Sequence, residues 1–408
     1  MRFKNQPLTS HQITEKTYRL DLLRGSLRGI LTTGTQTFVL FIAIRYFQAS
    51  DNIKAIIGAA PFLGMFLSVF GLHYLARTGW RKSLCGAIPA ALCGMFLFLS
   101  SFSNSLASFT TWTALGFICL HLLTPFITSI YNDNYPDDKR GAYFSLPMVM
   151  TVGFSVIFGF LASRFMDQDI ETFRWVMGIL GIAGLGKAWA IYSMPSKPIE
   201  SQASSNPLGN FKYIFEDRLF GYVLLTWFIM GFANLWVLPL RVDYVTNPEY
   251  GIEGSALLVT LLITIIPDGM RALSIPFLAR MFDRVNFILL RMMLNLTFGC
   301  GIALFFFTKD TGIIALGSAL IGIAFGGGSV AWALWVTKFA PPGKVAAYMS
   351  VHVSLTGIRG TFGPMIGFWA VHQIGPVNIG LLSCGMMVLA TIMLIPEIKH
   401  GRSNKPLN

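Results

Sequence analysis

The stretch SLTGIRGTFGPMIG, residues 354–367, places Arg359 inside a long apolar segment. A charged side chain at bilayer depth costs at least about 2.5–3.5 kcal/mol to insert, so it usually faces a partner or a water-filled cavity. Because this segment contains no acidic residue, the partner of Arg359 is a residue of another helix, a backbone carbonyl or a ligand. One polar stripe recurs along the segment at helical spacing: His352, Thr356, Arg359 and Gly363.

A charged pair interrupts the apolar stretch TIIPDGMRA, residues 264–272. Asp268 and Arg271 are three residues apart, so they share one face of a helix. Pro267 removes a backbone hydrogen bond there, and kinked helices near the middle of a bilayer often line binding sites. Two interpretations stay open. Either the pair neutralises itself and serves packing, or Asp268 carries a proton or cation while Arg271 contacts it or a substrate.

Two further polar side chains, Gln36 and His121, stand alone in apolar segments. Each is either a helix–helix hydrogen bond or part of a site. The sequence has no HExxH motif, no GxxxxGK[ST] loop and no cysteines or histidines at metal-ligand spacing. We therefore expect no metal, no cofactor, no ATP hydrolysis and no enzymatic activity.

The elements that position these groups are those of a membrane protein. The chain is 54% hydrophobic and 12% charged, whereas soluble proteins have about 25% charged residues. Its net charge of +12 is spread over short loops, which indicates membrane topology and excludes a nucleic-acid partner. A spanning helix needs about 20 apolar residues, and we expect twelve such helices in an all-α integral membrane protein. Their expected positions are 27–48, 53–75, 84–103, 107–131, 142–165, 174–194, 219–245, 255–281, 287–308, 312–337, 346–372 and 376–395.

The longest polar break, PSKPIESQASSNPLGNFKYIFEDR, divides these helices into two sets of six. The predicted organisation is an N-terminal tail 1–26, a six-helix bundle 27–194, a linker 195–218, a second bundle 219–396 and a C-terminal tail 397–408. With this assignment, 22 of the 31 lysines and arginines lie on the side of the termini and six on the opposite side. Positive loops stay inside, so we expect both termini and the linker in the cytoplasm.

The two halves share an internal repeat. YPDDKRGAYFS (135–145) and APPGKVAAYMS (340–350) agree in five residue types at a constant offset of 205. The matched pairs are Pro136 and Pro341, Lys139 and Lys344, Ala142 and Ala347, Tyr143 and Tyr348, Ser145 and Ser350. Parallel halves of this kind are typical of secondary transporters.

The loop GLHYLARTGWRKS (71–83) resembles the loop motif of the major facilitator superfamily, and ARMFDRVNFILLR (279–291) resembles its second-half counterpart. The first copy has Ala76 where the family usually has aspartate. The resemblance implies two pseudo-symmetric six-helix bundles that alternate access to a central site. It also implies a conformational gating role for four residues: Arg77, Arg81, Asp283 and Arg284.

The resemblance implies a secondary active transporter of a small solute, coupled to a proton or ion gradient. Arg271 and Arg359 against Asp268 leave one net positive charge at mid-membrane, which favours an organic anion. The predicted substrate or coupling-ion residues are Arg359, Arg271, Asp268, His352, His121 and Gln36. The alternatives are a polyspecific drug or metabolite efflux pump, a membrane sensor without transport, and a membrane enzyme. We expect a monomer in a bacterial inner membrane, whereas the direction of transport and the coupling ion stay open.

Overall fold

The computed structural model describes residues 9–76, 78–136, 139–198, 209–341 and 344–400. Long helices occupy all twelve predicted positions in these ranges. In chain order they are α1 Ser10–Arg45, α2 Asp51–Ala76, α3 Lys82–Ser100, α4 Leu106–Asn134, α5 Arg140–Gln168, α6 Phe173–Ser193, α7 Arg218–Thr246, α8 256–284, α9 Phe287–Phe306, α10 Thr311–Leu334, α11 345–374 and α12 376–394.

Within the described residues, ten helical stretches are long and apolar enough to span a membrane. One of them, Tyr348–Lys399, contains α11 and α12 together. The break between these two helices is Gly375, whose φ of 79° and ψ of 164° are not helical. This backbone conformation is essentially restricted to glycine, and Pro376 then starts α12. The ten stretches contain eleven of the twelve helices, and the twelfth, α2, is 26 residues long, so the helix count is consistent with twelve spans.

Helix α1 begins at Ser10, well before the expected start of the first span at 27. Thr9 and Gln12 form a capping box that satisfies the first free backbone N–H groups. The polar first half of α1 is held by packing, because Asp21 and Arg24 are 0% and 4% exposed and bond to each other at 2.6 Å. A hydropathy pattern could not find this part of the helix, since its charges are paired inside the protein.

The repeated sequences make the same hydrogen bond in both halves. The N–H of Lys139 donates to Pro136 O at 3.1 Å, and the N–H of Lys344 donates to Pro341 O at 3.1 Å. Each lysine is the N-cap of the helix that follows, α5 or α11. The offset of 205 residues therefore relates two copies of one structural unit.

The two halves meet along α2 and α11. Added side-chain atoms at Gly357 and Gly360 would clash with Phe66 and Phe62 of α2, so only glycine permits this approach. On the other side of α11, Gly363 packs against the backbone of Leu235 and Trp236 in α7. One face of α11 therefore contacts the first half, and its polar stripe faces α7 within the second half.

The two halves are also joined on the side of the protein opposite the chain termini. We call this side the far end. Lys54 Nζ of α2 lies 2.9 Å from Asp243 Oδ1 of α7 and 2.7 Å from Asp51 Oδ1. His372 Nδ1 of α11 lies 3.0 Å from Asp51 Oδ2. These four side chains form the far-end latch, and Asp243 is fully buried in it.

Helices α1, α5 and α8 make further far-end contacts. The carboxylate of Asp167 in α5 accepts hydrogen bonds from the N–H groups of Ala256 at 2.6 Å and Leu257 at 3.0 Å. A carboxylate at a helix N-terminus is favoured by the free N–H groups and by the helix dipole. Arg45 Nη1 pairs with Glu253 Oε1 at 3.0 Å. The far end of the structure is therefore closed by specific polar contacts.

Candidate functional site

The central charged group consists of Arg28, Asp268 and Arg271 at the interface between the halves. Arg271 Nη1 lies 3.9 Å from Asp268 Oδ1, which is a loose ion pair. The side chains of Arg271 and Asp268 are 28% and 10% exposed. The predicted pairing on one helix face is confirmed, and it leaves most of the hydrogen-bonding capacity of both groups free for another partner.

Arg28 of α1 belongs to the same group, because it acts electrostatically on both Asp268 and Arg271. Arg241 of α7 also acts on Asp268. Sequence reasoning missed Arg28, since it placed this residue with the positive charges near the N-terminus. The spacing of Asp21, Arg24 and Arg28 at i, i+3 and i+7 was the signal that all three continue one helix.

His121 lies on the first-half side of the central charged group. Its Nδ1 is 3.0 Å from Phe117 O one turn earlier in α4. Its ring is close enough to Arg28 of α1 and Lys187 of α6 to interact with both electrostatically. Lys187 is only 4% exposed, so it is another positive group of the first-half interior.

Gln36 is half-buried in a π-helical segment of α1, Gly34–Phe38. A second π-helical segment, Leu261–Ile265, lies in α8 just before Pro267. The buried hydroxyl groups of Thr37 and Thr264 join the two segments with Oγ1 atoms 2.6 Å apart. Single π-turns inside α-helices occur frequently at functional sites, and here two of them face each other across the interface.

Arg359 finds its partners inside the second half. Its Nη1 donates to the backbone carbonyl of Trp227 in α7, and its Nη2 donates to Thr356 Oγ1 at 3.0 Å. A Cβ atom at Gly231 would overlap the guanidinium group, so α7 approaches Arg359 closely there. Of the expected alternatives, the structure gives a backbone carbonyl of another helix.

His352 lies among three tryptophans, one in α7, one in α10 and one directly after α10. Its ring centroid is 5.1 Å from Trp227, 5.4 Å from Trp332 and 5.3 Å from Trp335. Arg291 of α9 stacks on Trp227, with Cζ 3.7 Å from the ring centroid. We call this set the tryptophan cluster: Trp227, Arg291, Trp332, Trp335, His352, Thr356 and Arg359.

The expected site residues therefore fall into two groups. Asp268 and Arg271 lie in the central charged group with His121 nearby, whereas His352 and Arg359 lie in the tryptophan cluster. The hydrogen bonds of Arg359 go to Trp227 of α7 and Thr356 of α11, which are not part of the central group. Arg291 is an addition that the sequence did not suggest, because its position near the start of α9 is typical of a residue that only satisfies topology.

The predicted gating residues are described only in part. Arg81 places its guanidinium 5.5 Å from the ring centroid of Tyr192 in α6, which is a contact within the first half. Arg284 is exposed at the end of α8. Arg77 and the side chain of Asp283 lie outside the described residues. The gating role of these four residues stays a prediction.

Comparison with known proteins gives the same architecture. The model of the Major Facilitator Superfamily matches residues 26–364. The fold resembles the nucleoside transporter NupG, with a TM-score of 0.69, 13% identity, and coverage of 95% of this chain and 98% of that one. It resembles the E. coli xylose transporter XylE in a partially occluded inward-open conformation, with a TM-score of 0.68, 14% identity, and coverage of 93% and 96%.

A third solved structure is the human organic anion transporter MFSD10, with a TM-score of 0.67, 15% identity, and coverage of 95% of this chain and 100% of that one. No curated protein matches the sequence significantly. At these identities the solved structures establish the fold, and the family match covers most of the chain. The chain belongs to the major facilitator superfamily: it is a multi-pass membrane transporter of small solutes and not an enzyme.

Proposed function

We propose that this protein transports a small organic anion by alternating access, with coupling to a proton or ion gradient. The observation that carries the proposal is the central charged group. Arg271 of the second half lies 3.9 Å from Asp268 in a loose ion pair, and Arg28 of the first half is close enough for its charge to act on both. Two guanidinium groups and one carboxylate leave a net positive charge, and arginine is suited to bind carboxylate or phosphate.

The far-end contacts support an inward-facing state of the protein. They close the side away from the termini, while Arg271 remains partly exposed. With both termini in the cytoplasm, as the distribution of lysine and arginine predicts, a protein closed at the far end faces the cytoplasm. XylE, a structural neighbour, is itself known in an inward-open conformation. We propose the bacterial inner membrane as the location and a monomer as the working unit.

The neighbours alone do not select a substrate class. One is named a nucleoside transporter, one a D-xylose–proton symporter and one an organic anion transporter. The anion is favoured because the central arginines outnumber the single carboxylate. His121 and Gln36 remain predicted contacts of this site, and His352 and Arg359 remain predicted binding residues in a separate group.

The test is counterflow with purified protein in proteoliposomes. Liposomes preloaded with an unlabelled solute are diluted into the labelled one, using a panel of small carboxylates, phosphate esters, a nucleoside and a pentose. We expect transient accumulation of a carboxylate or phosphate ester and none of the neutral solutes. Accumulation of a neutral solute alone would contradict the anion proposal. No accumulation of any solute would contradict transport of this solute class by the chain.

A further inference from the structure

Two arginines of the tryptophan cluster are buried, and no acid among the described residues pairs with either of them. Arg291 and Arg359 are 5% and 4% exposed. Among the described residues neither guanidinium forms an ion pair with a carboxylate, and both contact Trp227, Arg291 through the ring and Arg359 through the backbone carbonyl. Two like charges next to each other in a buried site repel, and the desolvation of each costs several kcal/mol. An isolated pair of this kind needs negative charge nearby.

The same cluster contains N–H donors that have no acceptor among the described residues. These atoms are Arg291 Nη2, Arg359 Nε, Trp227 Nε1 and Trp335 Nε1, and all are buried. A buried donor without an acceptor costs about 1–3 kcal/mol, so four together are comparable with the whole stability of a domain. Both ring nitrogens of His352, between these tryptophans, are also without a partner in this part of the chain.

Contacts hold these donors in one connected group. Arg291 stacks on Trp227, whose ring lies 5.7 Å from that of Trp335. Arg359 donates to the carbonyl of the same Trp227. The group therefore presents positive charge together with guanidinium and indole N–H donors. Such a group is suited to bind an anion, because an anion accepts hydrogen bonds and donates none.

The packing limits the size of such an acceptor. The three tryptophan rings around His352 are all within 5.4 Å of it, centroid to centroid. At Gly231 a Cβ atom would overlap the guanidinium group, so α7 packs directly against Arg359 on that side. The close packing of the rings around His352 favours a single small ion over a metabolite with a carbon skeleton.

We propose that the tryptophan cluster binds a small inorganic anion of the chloride type, held by Arg291 and Arg359 and by the indole N–H groups of Trp227 and Trp335. The anion neutralises the arginine pair inside the second half and accepts hydrogen bonds from the donors there. This site is distinct from the central charged group, and the inference does not depend on the identity of the transported solute.

The test is thermal unfolding of the purified full-length protein, with sodium gluconate replaced stepwise by sodium chloride at constant ionic strength. Binding to the folded state raises the unfolding temperature as the chloride concentration increases. We expect this rise in the wild type and in two controls, Arg280→Gln at an exposed arginine of α8 and Arg271→Gln in the central group. A wild-type unfolding temperature that does not change with chloride would overturn the proposal.

Two variants locate the site. Arg291→Gln removes one charge, and we expect its unfolding temperature to be insensitive to chloride. Trp335→Phe removes one indole donor and keeps an aromatic ring, so we expect about tenfold more chloride to be needed for the same rise in unfolding temperature. The same chloride response in Trp335→Phe as in the wild type would contradict the site, even if Arg291→Gln fails to fold. Loss of the response in Arg271→Gln would place the anion in the central group instead.

Discussion

At the scale of single residues, Asp268 is the acid that the central arginines share. The carboxylate lies 3.9 Å from Arg271, and Arg28 and Arg241 also act on it. A tight bidentate pair would use the hydrogen-bonding capacity of both groups, whereas this loose pair leaves it for a solute or a proton. We propose that Asp268 carries the coupling proton.

The corresponding prediction separates coupling from binding. Asp268→Asn keeps the shape of the side chain and removes its ability to release a proton. We expect solute accumulation driven by a pH gradient to be lost, while counterflow without a gradient remains. The control is Glu249→Gln, an exposed acid between α7 and α8. Gradient-driven accumulation equal to that of the control would show that Asp268 only pairs with Arg271.

Arg359 shows which features of a site can be predicted from the sequence and which cannot. Its spacing with His352 and Thr356 predicted a polar stripe correctly, because helical periodicity is a local property. The side on which that stripe packs was not predictable, since the glycines of α11 could have faced either half. Its partner is the carbonyl of Trp227, and a backbone carbonyl leaves no mark in the composition of a segment.

At the scale of the helices, the regular helical structure is interrupted at a few defined positions. Two π-helical segments meet at Thr37 and Thr264, and Gly375 separates α11 from α12. Pro267 indicated an interrupted helix there, and the predicted spans 346–372 and 376–395 left a boundary between them; both interruptions are present. The π-helical segment around Gln36 carries no proline, so nothing in the sequence distinguishes it from ordinary helix.

The break at Gly375 gives a prediction for stability. Gly375→Ala forces a side chain into a backbone conformation that only glycine adopts easily, so we expect a loss of about 1–3 kcal/mol in the free energy of unfolding. The control is Gly385→Ala in α12, where an added Cβ meets no atom within 4 Å. That change should be neutral or slightly stabilising. Chemical denaturation measures both, and equal stability of the two variants would contradict the assigned role of Gly375.

At the scale of the whole molecule, the far-end latch holds one state of the transport cycle. Lys54 compensates two carboxylates, and one of them, Asp243, is fully buried on the opposite half. Removal of one partner of a buried ion pair typically costs about 3–5 kcal/mol, because the other charge is left without compensation. Separation of the halves at this end lets water reach Asp243. The latch therefore favours the state that is closed at the far end.

We expect Lys54→Gln to open the far end. Spin labels at two exposed positions there, Ala107 of the first half and Glu249 of the second, report the separation of the halves in a background without the five native cysteines. The distance distribution should move to longer values, and addition of Asp243→Asn should reverse part of the shift. Lys309→Gln, at an exposed lysine of the same end, is the control. Identical distributions in the two lysine variants would contradict the latch.

The overall architecture was the most predictable part of the protein, because every helix that spans a lipid bilayer has to be long and apolar. The repeat also predicted a shared structural unit in the two halves, and matching hydrogen bonds precede α5 and α11. The far-end latch was not predictable, since Lys54 and Asp243 are 189 residues apart and each looks like an ordinary residue at a helix end.

The central claim is that Arg28 and Arg271 bind the transported anion together, one from each half. The most direct test is counterflow of the labelled anion in proteoliposomes with Arg28→Gln, Arg271→Gln and the exposed control Arg280→Gln. A charge-assisted contact contributes about 1.5–3 kcal/mol, so each of the first two variants should reduce apparent affinity about 10- to 100-fold, while the control matches the wild type. Unchanged anion affinity in both Arg28→Gln and Arg271→Gln would contradict the account.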